Sequence, residues 1–544
     1  MTFASPEIAA YGKRPLHDLT TQTFDALIIG AGINGAGLAR DLSLRGLKVL
    51  LVDKNDFASG TSSTSTKLVH GGLRYLENFD FRLVFEACRE RAILQKIAPH
   101  LVKPLPFFIP VYRGDPRPLW MIRAGLILYD VLAMFRNTGT HRIFSPRRAR
   151  AQAPVLQKKG LTGVARYWDC RMDDARLCLE NVISAIEAGA VALNYLEATA
   201  FTYHEDRMHG ARLRDRESGT EVEVSARCIV NASGPWLDEV RALDGERDQL
   251  LRPTRGTHIL VPRIGLCEEA LYLTAGSDER LFFVIPWDEL SLIGTTDVDF
   301  PENPDQVTPT EADIDYLLEE SRRHLQGVAL QRSDIIAAFA GLRPLIAEES
   351  ASASKVSREH RIITSPSGLI SIGGGKYTTY RAVAEELADL VMDRLEMPNP
   401  SSTTGKRPLP GGEGLGKRFG HRHHWKMLRK LGGLSSDQVE HLAGIYGSRV
   451  RQLLSMVEQN QELAAPVSSG SDLLRVQVAY GVQHEMARTP EDILRRRTSL
   501  ALEQGRGLDE LKTVSAQMAT LLGATAEVQE NWLENYRKQT TLNR

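Results

Sequence analysis

The sequence predicts a fold of three parts: an α/β domain, an α+β lobe with an antiparallel β-sheet, and an all-helical C-terminal domain. Three observations support this. Residues 25–53 read as strand, helix and strand in close succession. From residue 251 the pattern changes to strands and hairpins, and beyond a polar linker the chain reads as helical, without glycine-rich loops. Strand and helix patterns of α/β type return at residues 369–395.

The first α/β unit opens with an apolar run of strand length, residues 26–29. An amphipathic helical pattern then continues to Leu44, and residues 49–52 read as a second buried strand. Between the first strand and the helix stand three glycines at G-x-G-x-x-G spacing: Gly30, Gly32 and Gly35. This order is typical of a Rossmann-like dinucleotide-binding unit.

Each position in this unit has a physical role. Gly30 permits a sharp turn off the strand, and Gly32 lets backbone N–H groups approach a pyrophosphate at the helix N-terminus, beside Ile33 and Asn34. Gly35 lets the helix lie close to the strands. Asp53, which ends the second strand, is placed to accept hydrogen bonds from a ribose, with Lys54 beside it. A fortuitous glycine turn is the alternative, but all these features fall in register.

Composition restricts the class of protein. The chain has 544 residues, enough for more than one compact unit, and its 42% hydrophobic and 25% charged content is ordinary for a globular protein. The net charge of −1 argues against a nucleic-acid-binding protein. The first 24 residues lack an apolar signal segment, and no run of 18 apolar residues predicts a membrane span.

The cysteines favour a reducing compartment. They are five in number, scattered, and form no C-x-x-C pair, which argues against a disulfide framework or a structural zinc site. We expect no bound metal. They are Cys88, Cys170, Cys178, Cys228 and Cys267.

The stretch after this unit, residues 57–77, is rich in Ser, Thr and Gly. It is either a flexible loop or a loop that fits a polar ligand, and its position favours the ligand. Hydroxyls from this stretch would contact phosphates or a ring, and its end would bring backbone and a cation close to a planar anion. The residues concerned are Thr61, Ser62, Ser63, Ser65, Lys67, His70, Gly71, Gly72, Arg74 and Tyr75. For Arg74 the alternative is a surface ion pair.

The stretch TSSTSTKLVHGGLRYLE after such a βαβ unit resembles the flavin-dependent glycerol-3-phosphate dehydrogenases, within the amino-acid-oxidase-like flavoproteins. The resemblance covers about residues 20–510. It implies FAD as the cofactor; the glycine spacing alone does not choose between FAD and NAD.

Two further segments are predicted to reach the nucleotide. A buried strand delivers Asn231-Ala232-Ser233-Gly234, which resembles the family's Asn-Ala-Thr-Gly segment, and we expect Ala232 and Gly234 to contact the cofactor. The strand at 369–372 leads into three glycines and a helix. Gly375, Lys376 and Thr378 are expected beside the flavin, where a helix N-terminus suits a reduced flavin's negative charge.

Pattern changes set the predicted domain boundaries, and the FAD-binding domain is discontinuous. The predicted segments are 20–110, 165–245 and 360–398 for the FAD-binding domain, 111–164 and 246–359 for the substrate lobe, and 415–544 for the C-terminal helical domain, after the linker at 399–414. Within the lobe, Thr308, Pro309 and Glu311 predict a capping box at a helix start.

Arginine forks pair bidentately with phosphate oxygens, so the family's substrate implies arginines at the site. The resemblance assigns this role to Arg343, in Gly341-Leu342-Arg343-Pro344, and to Arg358 and Arg74, with Tyr75 and Asp297 nearby. The alternative for Arg343 is that it holds the lobe interface together.

A base near the carbinol needs a pKa close to neutrality. His258, in RGTHILVP, is the leading candidate. Alternatively His258 only donates a hydrogen bond, and Arg343 or Lys376 orients the hydroxyl. A lone histidine on a strand is commonly structural, and the residues alone leave both interpretations open.

The resemblance implies oxidation of sn-glycerol 3-phosphate to dihydroxyacetone phosphate, with electrons passed through FAD to the membrane quinone pool. It also implies a homodimer in peripheral contact with the inner face of the cytoplasmic membrane. Two alternatives stay open: an oxygen-dependent flavin oxidase of a phosphorylated, hydroxy acid or amino acid substrate, and a non-catalytic FAD-binding protein.

Two segments are candidates for contact with a membrane. Residues 118–135 are strongly apolar and form either a buried helix or a helix in the membrane interface, anchored by Trp120 and by flanking arginines 117, 123 and 136. The cationic run 416–430 is the second candidate. Its histidines 421, 423 and 424 lack a Cys or carboxylate that would complete a metal site, so we expect a solvated face. Residues 490–502 resemble the family's C-terminal helical cap.

Overall fold

The computed structural model describes residues 16–134, 136–265, 268–347, 360–415 and 433–542. Two β-sheets form the body of the chain up to residue 394, and the described residues from 433 onward are mainly helical. The strands are β1 (Thr23–Ile29), β2 (Val49–Val52), β3 (Leu68–Val69), β4 (Lys103–Tyr112), β5 (Arg142–Phe144), β6 (Leu161–Arg171), β7 (Val191–Leu193), β8 (Leu196–His204), β9 (Arg207–Asp215), β10 (Glu221–Asn231), β11 (Leu251–Pro262), β12 (Ala270–Thr274), β13 (Leu281–Trp287), β14 (Leu290–Gly294), β15 (Val298–Asp299), β16 (Ala337–Ile346), β17 (His360–Thr364) and β18 (Ile370–Gly374).

The described helices connect and flank the sheets. They are α1 (Leu16–Thr20), α2 (Ile33–Leu44), α3 (Phe81–Ile97), α4 (Leu119–Leu132), α5 (Pro146–Gln152), α6 (Asp174–Glu187), α7 (Leu237–Ala242), α8 (Glu311–His324), α9 (Tyr380–Arg394), α10 (Ser436–Tyr446), α11 (Val450–Gln459), α12 (Arg475–Glu485), α13 (Leu508–Leu522) and α14 (Ala526–Leu542). A 3₁₀ helix at Leu73–Asn78 and a π-helix at Asp492–Arg497 also matter below.

The first sheet has eight strands and contains the predicted βαβ unit. Its main order is β17-β18-β10-β1-β2-β7, and β8 and β9 extend it beside β10. Strands β18, β10, β1, β2 and β7 run parallel, so their carboxyl ends meet at one edge. The apolar run of β1 is buried, which explains why it reads as continuous rather than alternating.

The second sheet has ten strands in the main order β15-β11-β14-β13-β12-β4-β6-β3, with β16 on β11 and β5 on β6. Its pairs are antiparallel except for β12 with β4. This sheet crosses the predicted domain segments at two points, and the domain boundaries stay a prediction. Strands β3, β4 and β6 pair in this sheet, although we had assigned residues up to 110 and from 165 to the first domain.

Helix α8 begins two residues later than predicted. Thr310, not Thr308, is the N-cap, and its hydroxyl accepts the Asp313 N–H while the Asp313 carboxylate accepts the Thr310 N–H. Both threonines are followed three residues later by an acid, so spacing alone did not separate them. Asp313 is also held by Arg255 and Thr257, which fixes this register.

Helix α4 occupies most of the apolar segment 118–135 and is only partly buried. Leu126 and Tyr129 face the core, whereas Trp120 is 70% exposed and Val131 50% exposed. Within the described residues, no helix combines the length and apolarity required to traverse a bilayer. The cationic run at 416–430 lies outside the described residues.

Candidate functional site

A cavity of about 490 Å³ lies where the carboxyl edge of the first sheet meets the second sheet. At one end it is lined by the glycine turn and by Asp53, and at the other by His258 and Arg343. We call these the nucleotide end and the substrate end. The predicted site residues that line the cavity are Gly30, Gly32, Ile33, Asn34, Asp53, Lys54, Thr61, Ser62, Ser65, His70, Gly72, Arg74, Tyr75, Ala232, Gly234, His258, Asp297, Arg343, Gly375, Lys376 and Thr378.

The glycine turn is fitted closely to the neighbouring strand end. Gly30 has φ +102°, and a Cβ there would lie 2.6 Å from the Ala232 carbonyl oxygen. Gly35 does not line the cavity, because it packs under the turn. A Cβ on Gly35 would collide with the Gly30 carbonyl. The turn therefore brings backbone and the N-terminus of α2 to the cavity without side chains, as a pyrophosphate requires.

Asp53 lies at the end of β2 and is held by backbone. Its carboxylate accepts the Ala31 N–H at 2.7 Å and the Asn55 N–H at 2.9 Å. Burial raises the pKa of Asp53 to about 6, although these two N–H groups act in the opposite direction. The carboxylate is thus fixed beside the glycine turn, where a ribose hydroxyl donor would stabilise its charge.

The Ser/Thr loop faces the cavity and is also held in place by hydrogen bonds to other parts of the chain. Ser62 Oγ accepts the Ile33 N–H at 2.9 Å, at the start of α2. Thr61 Oγ1 donates to the Leu342 carbonyl of β16 at 2.6 Å, and Ser65 Oγ donates to Asp174 at 2.7 Å. The stretch is therefore a moulded loop that joins the two sheets at the cavity.

Besides Gly35, three residues predicted to bind the cofactor do not line the cavity. Lys67 Nζ donates to Asp174 Oδ1 at 2.5 Å and to the Ser63 carbonyl at 3.2 Å, so Lys67 braces the loop from behind. The Ser63 hydroxyl donates to the Gly60 carbonyl. The Gly71 N–H donates to Asp169, and a side chain there would collide with Tyr129. Composition could not distinguish these supporting residues from lining residues.

The two later segments reach the cavity from neighbouring parallel strands. Ala232 and Gly234 follow β10, and Gly375, Lys376 and Thr378 follow β18. The Thr378 hydroxyl accepts the His70 N–H at 3.2 Å, which joins this turn to the Ser/Thr loop.

At the substrate end, His258 projects from β11. Its Nε2 lies 3.0 Å from Thr66 Oγ1, and its ring stacks on Phe339 with centroids 4.9 Å apart. Burial, then the charges of Arg343 and Lys67, lower the pKa of His258 to about 3. The imidazole is therefore neutral at physiological pH, and its Nδ1 has no hydrogen-bond partner among the described residues.

Arg343 comes from β16, which pairs with β11. Its two Nη nitrogens donate to Thr295 Oγ1 at 3.0 Å and to the Thr296 carbonyl at 3.2 Å, and Nη1 lies 3.2 Å from Asp297 Oδ1. Arg343 thus faces the cavity and also holds the 295–297 segment, which follows a strand of the same sheet.

Two further cations line the cavity. Lys376 Nζ sits 3.6 Å from the centroid of the Tyr75 ring, in a cation–π contact. Arg74 precedes Tyr75 in the 3₁₀ helix Leu73–Asn78, and both line the cavity. Arg358 lies outside the described residues.

Several lining residues were absent from the predicted set. Thr66 stands within the quoted Ser/Thr stretch, and Thr295 and Trp236 each lie two residues from a predicted site residue, so the sequence carried a usable signal for all three. Arg280 and Glu197 had no such signal, because only the pairing of distant strands brings them to the wall. Arg280 Nη1 donates to the Asp297 carbonyl at 2.6 Å. Within the described ranges, no cluster of His, Cys, Asp or Glu has the geometry of a metal site.

Family models match nearly the whole chain. Residues 25–390 match the FAD dependent oxidoreductase family, and residues 402–529 match the C-terminal domain of alpha-glycerophosphate oxidase. The FAD-dependent family and the fit of the glycine turn to a pyrophosphate agree on a flavin dinucleotide at the nucleotide end.

Among curated proteins, the chain is 39% identical to glycerol-3-phosphate dehydrogenase of Synechocystis sp., covering 96% of this chain and 98% of that protein. It is 36% identical to the human mitochondrial glycerol-3-phosphate dehydrogenase, covering 96% and 72%. Among solved structures, glycerol-3-phosphate dehydrogenase from Bacillus halodurans, complexed with FAD, superimposes with a TM-score of 0.81 at 31% identity, covering 97% and 96%.

Proposed function

The chain belongs to the FAD-dependent glycerol-3-phosphate dehydrogenases, and on this premise we propose that it oxidises sn-glycerol 3-phosphate to dihydroxyacetone phosphate and passes the electrons to a membrane quinone. One observation carries the proposal: a single cavity is lined both by a dinucleotide turn and by three cations, Arg74, Arg343 and Lys376.

The three cations are the reason for proposing a phosphate ester as the substrate. A phosphate monoester carries close to two negative charges near neutral pH, and guanidinium groups bind its oxygens through strong charge-assisted hydrogen bonds. Arg343 is held by the 295–297 segment, so its guanidinium is oriented before the substrate binds. A preoriented cation loses little entropy on binding, which favours a small, highly charged substrate.

His258 is the proposed proton acceptor. Its imidazole is neutral in the ligand-free protein, as a base must be, and Thr66 holds the ring through Nε2. Because Arg343 and Lys67 lower the pKa of His258, a bound phosphate dianion that offsets their charge would raise it toward a useful value. FAD, when bound, supplies the acceptor for the hydride that leaves the carbinol carbon.

The reaction is tested on purified, yellow protein without oxygen. Addition of sn-glycerol 3-phosphate should bleach the flavin absorbance, whereas glycerol without the phosphate should not at the same concentration. An unchanged spectrum with the phosphate ester would count against the activity and favour a non-catalytic FAD-binding protein.

The electron acceptor is proposed from the surface beside the cavity. The 3₁₀ helix that lines the cavity with Arg74 and Tyr75 leads directly into Phe79, whose side chain is 76% exposed. Together with α4 it forms an apolar patch that contains most of the exposed large apolar side chains described. The patch consists of Phe79, Phe81, Phe85, Trp120, Met121, Ile127, Leu128, Val131 and Met134.

Exposed arginines 82, 89, 123 and 136 flank the apolar patch. An apolar surface with a cationic border fits an anionic lipid interface, where a quinone is dissolved. We therefore assign the apolar patch to peripheral contact with the inner face of the cytoplasmic membrane. The homodimer stays a prediction, and sedimentation of the purified protein tests it.

Vesicle binding tests the membrane contact. The double variant W120S/I127S should lose binding to phosphatidylglycerol vesicles, while L508S, which alters an exposed leucine of α13, should not. Wild-type protein that stays in solution would contradict the assignment. Reduction of an added quinone without stoichiometric peroxide supports the dehydrogenase, and peroxide formation at the same rate without quinone would favour the oxygen-dependent oxidase.

A further inference from the structure

The motif at residues 490–502 has no role in the reaction described so far. Its π-helix, Asp492–Arg497, carries two buried arginines, Arg496 and Arg497. Their side chains extend from the C-terminal domain to the domain that contains the first sheet. π-Helices are rare and frequently mark functional sites. Both arginines converge on one carboxylate, Asp56, which is fully buried and lies three residues after Asp53.

Asp56 accepts four hydrogen bonds from buried side chains. Arg497 donates to it through both Nη nitrogens, at 2.6 and 2.9 Å, and Arg496 Nε donates at 2.6 Å. Asn194 Nδ2 adds a fourth bond at 2.9 Å. Burial alone would raise the pKa of Asp56, but Arg497 and Arg496 outweigh it and lower the value to about 2.

A second loop at the nucleotide end is held by the same segment. Asn194 Nδ2 also donates to the Met486 carbonyl at 2.9 Å, and Tyr195 Oη donates to Asp492 at 2.7 Å. These residues form the turn between β7 and β8. The cavity-lining residue that follows them, Leu196, donates its N–H to the Asp53 carbonyl at 2.7 Å.

Residues 486–497 therefore contact both loops that carry the nucleotide end, the loop after β2 and the turn before β8. The arginines also offset the buried negative charge of Asp56, which lies close enough to Asp53 for its charge to raise the pKa of Asp53. Without them, Asp56 would be an uncompensated anion beside Asp53 and would oppose a second anionic group.

We infer that residues 486–497 of the C-terminal domain are a positioning element for the flavin dinucleotide, which sets its affinity through Asp56, Asn194 and Tyr195. The element does not touch the reacting atoms. Its removal should change how tightly the cofactor is held and leave substrate oxidation by the loaded enzyme intact.

The test measures the FAD dissociation constant of the full-length apoprotein by quenching of flavin fluorescence. The double variant D56N/R497Q removes one charge of each sign, and Arg496 keeps Glu491 and Asp492 as partners, so no unpaired buried charge remains. We expect its dissociation constant to rise about tenfold, equivalent to about 1.4 kcal/mol. At saturating FAD, its kcat and its KM for sn-glycerol 3-phosphate should stay close to the wild-type values.

The matched control is R449M. Arg449 also joins the C-terminal domain to the first domain, through Glu187 at 2.9 Å, but neither residue lines the cavity. R449M should lower the thermal midpoint without changing the FAD dissociation constant. If D56N/R497Q does the same, the contact is merely structural and the inference is overturned.

A milder variant covers the case in which D56N/R497Q does not fold. Tyr195→Phe removes the hydroxyl contacts to Asp492 and Thr489, and it should raise the FAD dissociation constant severalfold while R449M does not. A Y195F protein with wild-type FAD affinity would then overturn the inference. Because FAD binding is read without substrate, failure of the proposed reaction would be seen separately.

Discussion

The nucleotide end and the substrate end of the cavity are built from different kinds of sequence. At the nucleotide end, Asp53 and Ser62 accept the N–H groups of Ala31 and Ile33, which follow Gly30, and all these residues stand within one stretch of the chain. His258 and Arg343 stand far apart in sequence and meet only because β11 pairs with β16 in the second sheet. The comparison shows that backbone geometry shapes the first end, and side-chain charge the second.

The substitution with the largest expected effect disrupts the nucleotide end alone. Gly30→Ala should abolish FAD binding, because a Cβ there meets the Ala232 carbonyl oxygen at 2.6 Å. Gly189→Ala is the matched control, since Gly189 has the same φ of +102° with open space around it. The control should cost roughly 1–2 kcal/mol of stability and keep FAD. A yellow Gly30→Ala protein would contradict this account of the turn.

The substitution with the next largest expected effect disrupts the substrate end alone. His258→Asn should lower kcat by roughly 10²-fold or more while FAD stays bound, as expected for a lost proton acceptor. If wild type and variant have equal kcat, His258 is structural.

The pH profile sharpens the role of His258. Because its pKa is lowered to about 3, the free imidazole is deprotonated throughout pH 5–8. If the pH profile of kcat/KM bends near pH 6, the titrating group should be the substrate phosphate. The same bend should then appear in His258→Asn. A limb near pH 6.5 in wild type only would mean that the histidine titrates there.

A smaller effect is expected from Arg343→Ala. Loss of one or two charge-assisted hydrogen bonds should raise KM for the phosphate ester roughly 10- to 100-fold, with FAD content nearly unchanged. The control is Arg252→Ala, an exposed arginine of the same sheet whose ion pair with Asp299 lies outside the cavity. Equal loss of FAD and of substrate affinity in Arg343→Ala would make Arg343 a structural residue.

The smallest effect returns to the nucleotide end. In the ligand-free protein the pKa of Asp53 is raised to about 6, so Asp53 is largely protonated at pH 5 and ionised at pH 7. A ribose hydroxyl favours the ionised form, so FAD affinity of the apoprotein should rise about tenfold from pH 5 to pH 7. Asp53→Asn should remove this dependence. The same slope in the variant would assign it to another group.

The sequence predicted the parts of the fold that are consecutive in the chain better than the parts that depend on distant pairing. The βαβ unit was readable because strand, glycines, helix and acid are consecutive, and the structure has them at Thr23–Ile29, Ile33–Leu44 and Val49–Val52. The membership of β4 and β6 was not readable, because a strand's sequence does not state which sheet it joins. Lys67 was misjudged for a related reason: its partner, Asp174, is distant in sequence.

Strand β18 has a consequence for synthesis of the protein. It pairs in parallel with β10 and delivers Gly375 and Lys376 to the cavity, more than 300 residues after β1. Strand β10 ends at residue 231 and β18 begins at residue 370, so a ribosome that adds about 10 residues per second needs roughly 14 s between these two strands. During that time the growing chain presents β10 with an unpaired edge. The cavity is therefore incomplete until β18 has been synthesised, and chaperone protection of that edge beforehand would improve the yield of holoenzyme.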